Sequence, residues 1–158
     1  MEIPRQLTDD FISEAQRVLT DLGKSLDALE RGEAPAEQFL VFSQHADGLS
    51  QRATLLSQQN DGEMPPAFAA IAKLTENSRL LALKGAALVD PDLVPVVAGC
   101  LVDSIDAIGT ALNSLAPHAA PTEFPAICAT VAERIYEISE RIRISPADLD
   151  TLKRRAGI

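Results

Sequence analysis

Apolar side chains recur every three or four positions in five successive stretches of the chain, with turn-forming residues between them. The first stripe is Leu7, Phe11, Ala15, Val18, Leu22, Leu26 and Leu29. Thr8 is placed to cap the helix this predicts, with Asp9 and Asp10 at the positive end of its dipole. Arg31-Gly32-Glu33-Ala34-Pro35 stops it. The second stripe is Phe39, Phe42, Ala46, Leu49, Ala53 and Leu56, and Asn60-Asp61-Gly62-Glu63 before Pro65-Pro66 predicts a break.

The third stripe is Ala67, Ile71, Leu74, Ser78, Leu81, Gly85 and Leu88, widened by Leu80 and Leu83. Asp90-Pro91 reads as a cap followed by proline at the first helical position. The fourth is the most regular: Val94, Val97, Leu101, Ile105, Ile108, Leu112 and Leu115. Pro95 fits there only because it falls in the first turn. After the loop Ala116-Pro117-His118-Ala119-Ala120-Pro121 comes a fifth stripe, Ile127, Val131, Ile135, Ile138 and Ile142, with Glu137 and Arg141 spaced as an ion pair. Ser145-Pro146-Ala147-Asp148 combines a capping serine, an inner proline and an acid in the first turn, so it opens a short helix ending near Gly157.

No strand-like alternation persists. The expected fold is all-α: an up-and-down antiparallel four-helix bundle with an additional C-terminal helix pair. One domain spans 1–158, with the bundle in 1–116 and a C-terminal helical extension in 122–158. The chain is long enough to bury roughly two-thirds of its unfolded surface. Apolar residues at 46% and aromatics at 4% suit helices packed on helices rather than sheets.

The formal net charge of −9 argues against binding nucleic acid or an anionic membrane. Residues 1–121 carry 8 basic and 17 acidic side chains, and 122–158 carry 6 of each. The excess acid lies in the first helices, where it suits a partner with a basic patch or serves solubility alone. Glu2, Arg5, Asp9 and Asp10 interrupt any secretory leader. The longest uninterrupted apolar run, Leu93 to Val102, is too short to span a bilayer. The cytoplasm is the expected location. Cys100 and Cys128 stand among apolar residues and read as core filler.

Candidate chemistry is sparse. No metal-ligand spacing, phosphate loop or nucleophile elbow occurs, so neither metal nor cofactor is expected. His118 lies in the proline-rich loop without an acidic or cysteine neighbour. His45 stands at the edge of the second stripe, about one-fifth of a turn from its centre. There one ring nitrogen can bond locally while the other faces solvent, which suits a nucleophile. Arg52 follows at i+7, placed to hold a phosphoryl group. A boundary histidine that merely fills a groove has the same local features.

The order of these segments resembles the amino-terminal phosphotransfer domain of chemotaxis-type histidine kinases, over the first 115 residues. Such domains open with an acidic helix like Asp10-Phe11-Ile12-Ser13-Glu14-Ala15 and carry the phosphoacceptor histidine on the second helix, where His45 stands. The third and fourth helices are similar to Lys73-Leu74-Thr75-Glu76-Asn77-Ser78-Arg79-Leu80-Leu81 and Leu101-Val102-Asp103-Ser104-Ile105-Asp106-Ala107-Ile108. The family motif places Lys three residues after the histidine and Gly four after; here those positions are Gly48 and Leu49. A register shifted by one puts Ala46 at the histidine position. A second echo, Leu81-Ala82-Leu83-Lys84-Gly85-Ala86-Ala87, keeps Lys-Gly without a histidine, one helix too late.

The resemblance implies a phosphocarrier rather than an enzyme in its own right. His45 would accept or relay the phosphoryl group, flanked by Gln44, Gly48, Leu49 and Arg52. The partner would be a response regulator receiver domain, supplying Mg²⁺ and most catalytic groups, or a histidine kinase. The missing Lys-Gly pair and the helices after Thr122 equally suit a pseudo-phosphotransfer module that docks a kinase, receiver or motility protein without chemistry. A bundle that binds an apolar small molecule is a third reading, resting on Leu and Ala content alone.

Overall fold

A computed structural model describes residues 5–58, 65–88, 90–116 and 123–158. The predicted break at 60–63 and His118 with its loop lie outside these, and no strand occurs among the described residues. Six α-helices follow in order: α1 Arg5–Glu30, α2 Pro35–Ser57, α3 Pro66–Ala86, α4 Val94–Asn113, α5 Phe124–Arg141 and α6 Pro146–Ala156. A 3-10 turn, Pro91–Leu93, leads into α4.

The helix ends follow local chemistry. At the end of α1, Gly32 adopts a left-handed φ of 75°. Its N–H donates to the Leu29 carbonyl and that of Glu33 to Ala28, so the last turn is closed by a left-handed cap. Gly157 repeats this at the end of α6, with φ 77° and N–H donation from Gly157 to Arg154 and from Ile158 to Lys153. Ser145 caps α6, its side chain accepting from the Asp148 N–H. Asp90 accepts from the Asp92 N–H, and Pro95 falls in the first turn of α4 as expected. Thr8 is a correction: the helix is already under way at Arg5, so Thr8 lies inside it, 8% exposed, and Asp9 and Asp10 miss the first turn.

Four helices close a ring of packing, α1 on α2, α2 on α3, α3 on α4 and α4 back on α1. α5 lies against α3 and α4, and α6 against α2 and α3. Two core clusters fill the interior. One joins Phe11, Leu49, Phe68, Ile71, Leu74, Ile108 and Leu112, with Phe11 and Phe68 edge-on at 5.1 Å between ring centroids. The other joins Leu22, Leu26, Phe39, Phe42, Leu81, Val97 and Leu101. A smaller cluster of Leu40, Leu83, Leu152 and Ala156 fastens α6 to α2 and α3.

The predicted stripes of α2, α3 and α4 are the buried faces, but α5 is rolled by about one residue. Its buried side chains are Cys128, Ala132, Ile135 and Ser139, while Ile127 is 42% exposed. Small side chains on that face let α5 sit close in the α3–α4 groove, where Cys128 Sγ lies 3.6 Å from the Ala107 carbonyl oxygen. Glu137 and Arg141 do not pair; Arg134 instead bonds Asp103 of α4 at 3.0 Å. Pro91–Asn113 is, by length and composition, apolar enough to cross a membrane, which its interrupted runs concealed. In the fold its Leu101, Ile108 and Leu112 are core residues, at most 2% exposed.

Buried polar residues of α3 are satisfied, whereas the buried Ser139 hydroxyl of α5 has no hydrogen-bond partner among the described residues. Thr75 and Ser78 donate to carbonyls one turn back on α3, at 2.7 and 2.6 Å, and Ser78 meets Ser104 of α4 hydroxyl to hydroxyl. Lys84 and Gly85, the motif echo on α3, have structural roles. The Lys84 ammonium donates to the Ser139 carbonyl near the end of α5 at 2.6 Å, and a Cβ on Gly85 would meet the Phe39 ring at 3.1 Å.

Two glycine substitutions therefore have opposite expected outcomes. Gly48 is exposed, with nothing within 4 Å of an added Cβ, so Gly48→Ala stabilises by about 0.5–1 kcal/mol through helix propensity. Gly85→Ala gains the same propensity but crowds Phe39, and overpacking of about 1–3 kcal/mol makes it net destabilising. Urea unfolding midpoints check both.

Candidate functional site

The inward stripe of α2 fixes its roll about its own axis. Phe39, Phe42, Ala46, Leu49 and Ala53 are all at most 2% exposed. With successive residues about 100° apart, His45 is held at the rim of the buried face. The residue as a whole is neither buried nor fully exposed. Ala46 is fully buried, so the alternative register would place the motif position in the core.

The flanking residues divide. Gln44 and Gly48 are exposed, and the space over Gly48 is open. Leu49 is 2% exposed and belongs to the core between α1, α2 and α3, which corrects its expected place on the binding surface. Arg52 is exposed but is paired with Glu14 of α1. Seven residues is about 10 Å of helix axis, so that guanidinium serves the α1–α2 seam rather than a group on His45.

On the opposite flank of α2 a charged network faces α3. Arg79 is only 14% exposed and engages Glu76 one turn earlier and, at 3.8 Å, Asp47 of α2. Gln51 donates to the other oxygen of Asp47 at 2.8 Å. The Arg79 hydrogen bond holds the Glu76 carboxyl below the ordinary carboxylate range against partial desolvation, with Lys153 of α6 helping from a distance. This network was not singled out from the sequence. Its signal was one arginine amid the third stripe.

The outer ridge of α2 is Val41, Gln44, Gly48 and Leu55, with Val41 39% and Leu55 63% exposed. Beside it, the last turn of α6 brings up Lys153, Arg154 and Arg155. Arg155 bonds Glu37 of α2 at 2.9 Å, and the Gln44 amide nitrogen would lie 3.8 Å from a Cβ on Gly157. Cys100 and Cys128 are buried, unbridged thiols whose pKa burial raises, so neither is an activated nucleophile. Among the described residues no group of three or more His, Cys, Asp and Glu side chains is placed to hold a metal ion. No family model matches the chain, and neither curated proteins nor solved structures give a significant match.

The Glu76 contact has a pH signature. A depressed carboxyl stabilises the fold above its unfolded pKa and loses that contribution as pH falls through its folded pKa. Arg79→Ala therefore costs a constant amount of stability near neutral pH, and its difference from the unsubstituted chain narrows in acid below the ordinary carboxylate range. Unfolding free energies measured from neutral to strongly acidic pH test this; a difference that widens in acid contradicts it.

Proposed function

We propose that the chain is a histidine phosphotransfer-type signalling protein, in which residues 1–116 form an up-and-down antiparallel four-helix bundle and His45 on α2 carries the phosphoryl group. Several contacts support the topology: Arg5 of α1 bonds the Leu115 carbonyl just past the end of α4, while Leu26 and Leu29 line a groove with Val94 and Pro95 at its start. The observation that carries the function is the half-buried His45, placed at the rim of α2 near the open surface of Gly48.

In the proposed reaction a lone pair of the His45 imidazole attacks the phosphorus of an aspartyl phosphate on a receiver domain. The P–N bond forms as the acyl P–O bond breaks, the aspartate carboxylate leaves, and the ring proton goes to solvent. The reverse step returns the group. The chain contributes a positioned nucleophile and a docking surface; the partner contributes the catalytic groups. That division fits a site where α2 offers no ammonium at the Gly48 position.

The same absence favours a second reading, a docking module of the same architecture without phosphate chemistry. Phosphoramidate, which donates a phosphoryl group without a protein partner, separates the two. Under phosphotransfer, intact-mass analysis of the full chain shows one added phosphoryl group, and His45→Gln abolishes it while leaving helicity unchanged. A chain that stays unmodified supports the docking module. Labelling that persists in His45→Gln removes His45 as the acceptor.

A further inference from the structure

The chain is strongly acidic, yet the corner where α6 meets the outer ridge of α2 is basic. Lys153, Arg154 and Arg155 fill the last turn of α6, and Arg154 and Arg155 are exposed. They line a groove of about 220 Å³ with Val41 and Gln44 of α2 on its other wall. Leu152 and Ala156, each 6% exposed, fix the helix by packing on Leu40 and Leu83, so these arginines sit on an anchored element. Glu37 is the only acid in the groove lining, and Arg155 already engages it.

We infer that the α2–α6 corner is a docking surface for a carboxylate-rich protein segment, with Arg154 meeting its acids, Arg155 holding Glu37 out of their way and Val41 giving one apolar contact. Charge complementarity selects this occupant. A nucleic acid would present its whole phosphate backbone to a chain of net charge −9, whereas a short acidic segment need face only this corner. Gln44 adjoins His45 in sequence and lines the groove, so a partner seated here lies along the ridge beside that ring. This last consequence rests on the phosphotransfer reading; the docking itself does not.

The test uses the full chain, isotopically labelled for amide resonances, and a short synthetic peptide of Asp, Glu and Leu. Expected are shifts clustered at Val41, Gln44, Arg154 and Gly157, weakening as salt rises. Arg154→Glu, which keeps the Glu37–Arg155 bond, lowers affinity by about tenfold, whereas Arg17→Glu, the same charge change on the exposed side of α1, leaves it unchanged. Shifts that are absent or centred elsewhere, unchanged affinity in Arg154→Glu, or equal binding of a single-stranded oligonucleotide of the same charge overturn the proposal. Val41→Glu, on the other wall, repeats the test if Arg154→Glu perturbs α6. Failure here leaves phosphoramidate labelling of His45 intact, and failure of labelling leaves this binding intact.

Discussion

The roll of α2 about its own axis is the constraint on which the candidate site depends. It is set by five fully buried side chains that fit only one way between α1 and α3, and most tightly by Phe39, whose ring lies against the bare Cα of Gly85. Leu49 and Ala53 repeat the constraint about three and four turns further on, in the other core cluster. A roll of one residue would put the His45 imidazole among Phe42 and Leu81 and bring Ala46 to the rim. Burying an imidazole without a partner is costly, whereas exposing an alanine costs little, so packing and polarity select the same orientation. The rim histidine follows from core packing rather than from any contact of its own.

Much of this was legible in the sequence because the stripes of α2, α3 and α4 are long, regular and bounded by proline, glycine or capping side chains. Ser145, Asp90, Gly32 and Gly157 act where local chemistry places them, since a cap needs only neighbouring backbone. Where reading failed, the deciding partner lay elsewhere in the chain. Thr8 has the right chemistry for a cap, but the helix already extends through Arg5, whose guanidinium reaches the Leu115 carbonyl. On α5 the larger Ile, Val pattern suggested one face, while the groove between α3 and α4 accepts the smaller face of Cys128, Ala132 and Ser139. Leu49 and Arg52 share the flank of His45 on a helical wheel, yet one is drawn into the core and the other to Glu14. A wheel gives direction without depth.

The Lys84-Gly85 pair shows the complementary error that short motifs invite. It reproduces two residues of the family pattern on the wrong helix, and both have local physical explanations: a carbonyl near the end of α5 to satisfy, and an aromatic ring to admit. Gly48 has neither a ring against it nor a positive φ, and it lies on the solvent side of α2. Packing therefore accounts for the glycine of the echo and leaves the glycine beside His45 unexplained.

That contrast bears on how the proposed chemistry would work. A phosphoryl group on His45 carries negative charge, and α2 offers it neither an ammonium one turn on nor the guanidinium of Arg52, which is committed to Glu14. An imidazole so placed keeps nucleophilicity but contributes little stabilisation of the developing charge. Under the proposed function, the transferring groups then come from the receiver, and the chain governs the reaction mainly by holding that partner in place. A docking surface off the α2 axis gains importance in such an arrangement, since positioning alone can supply several kcal/mol of a transfer barrier.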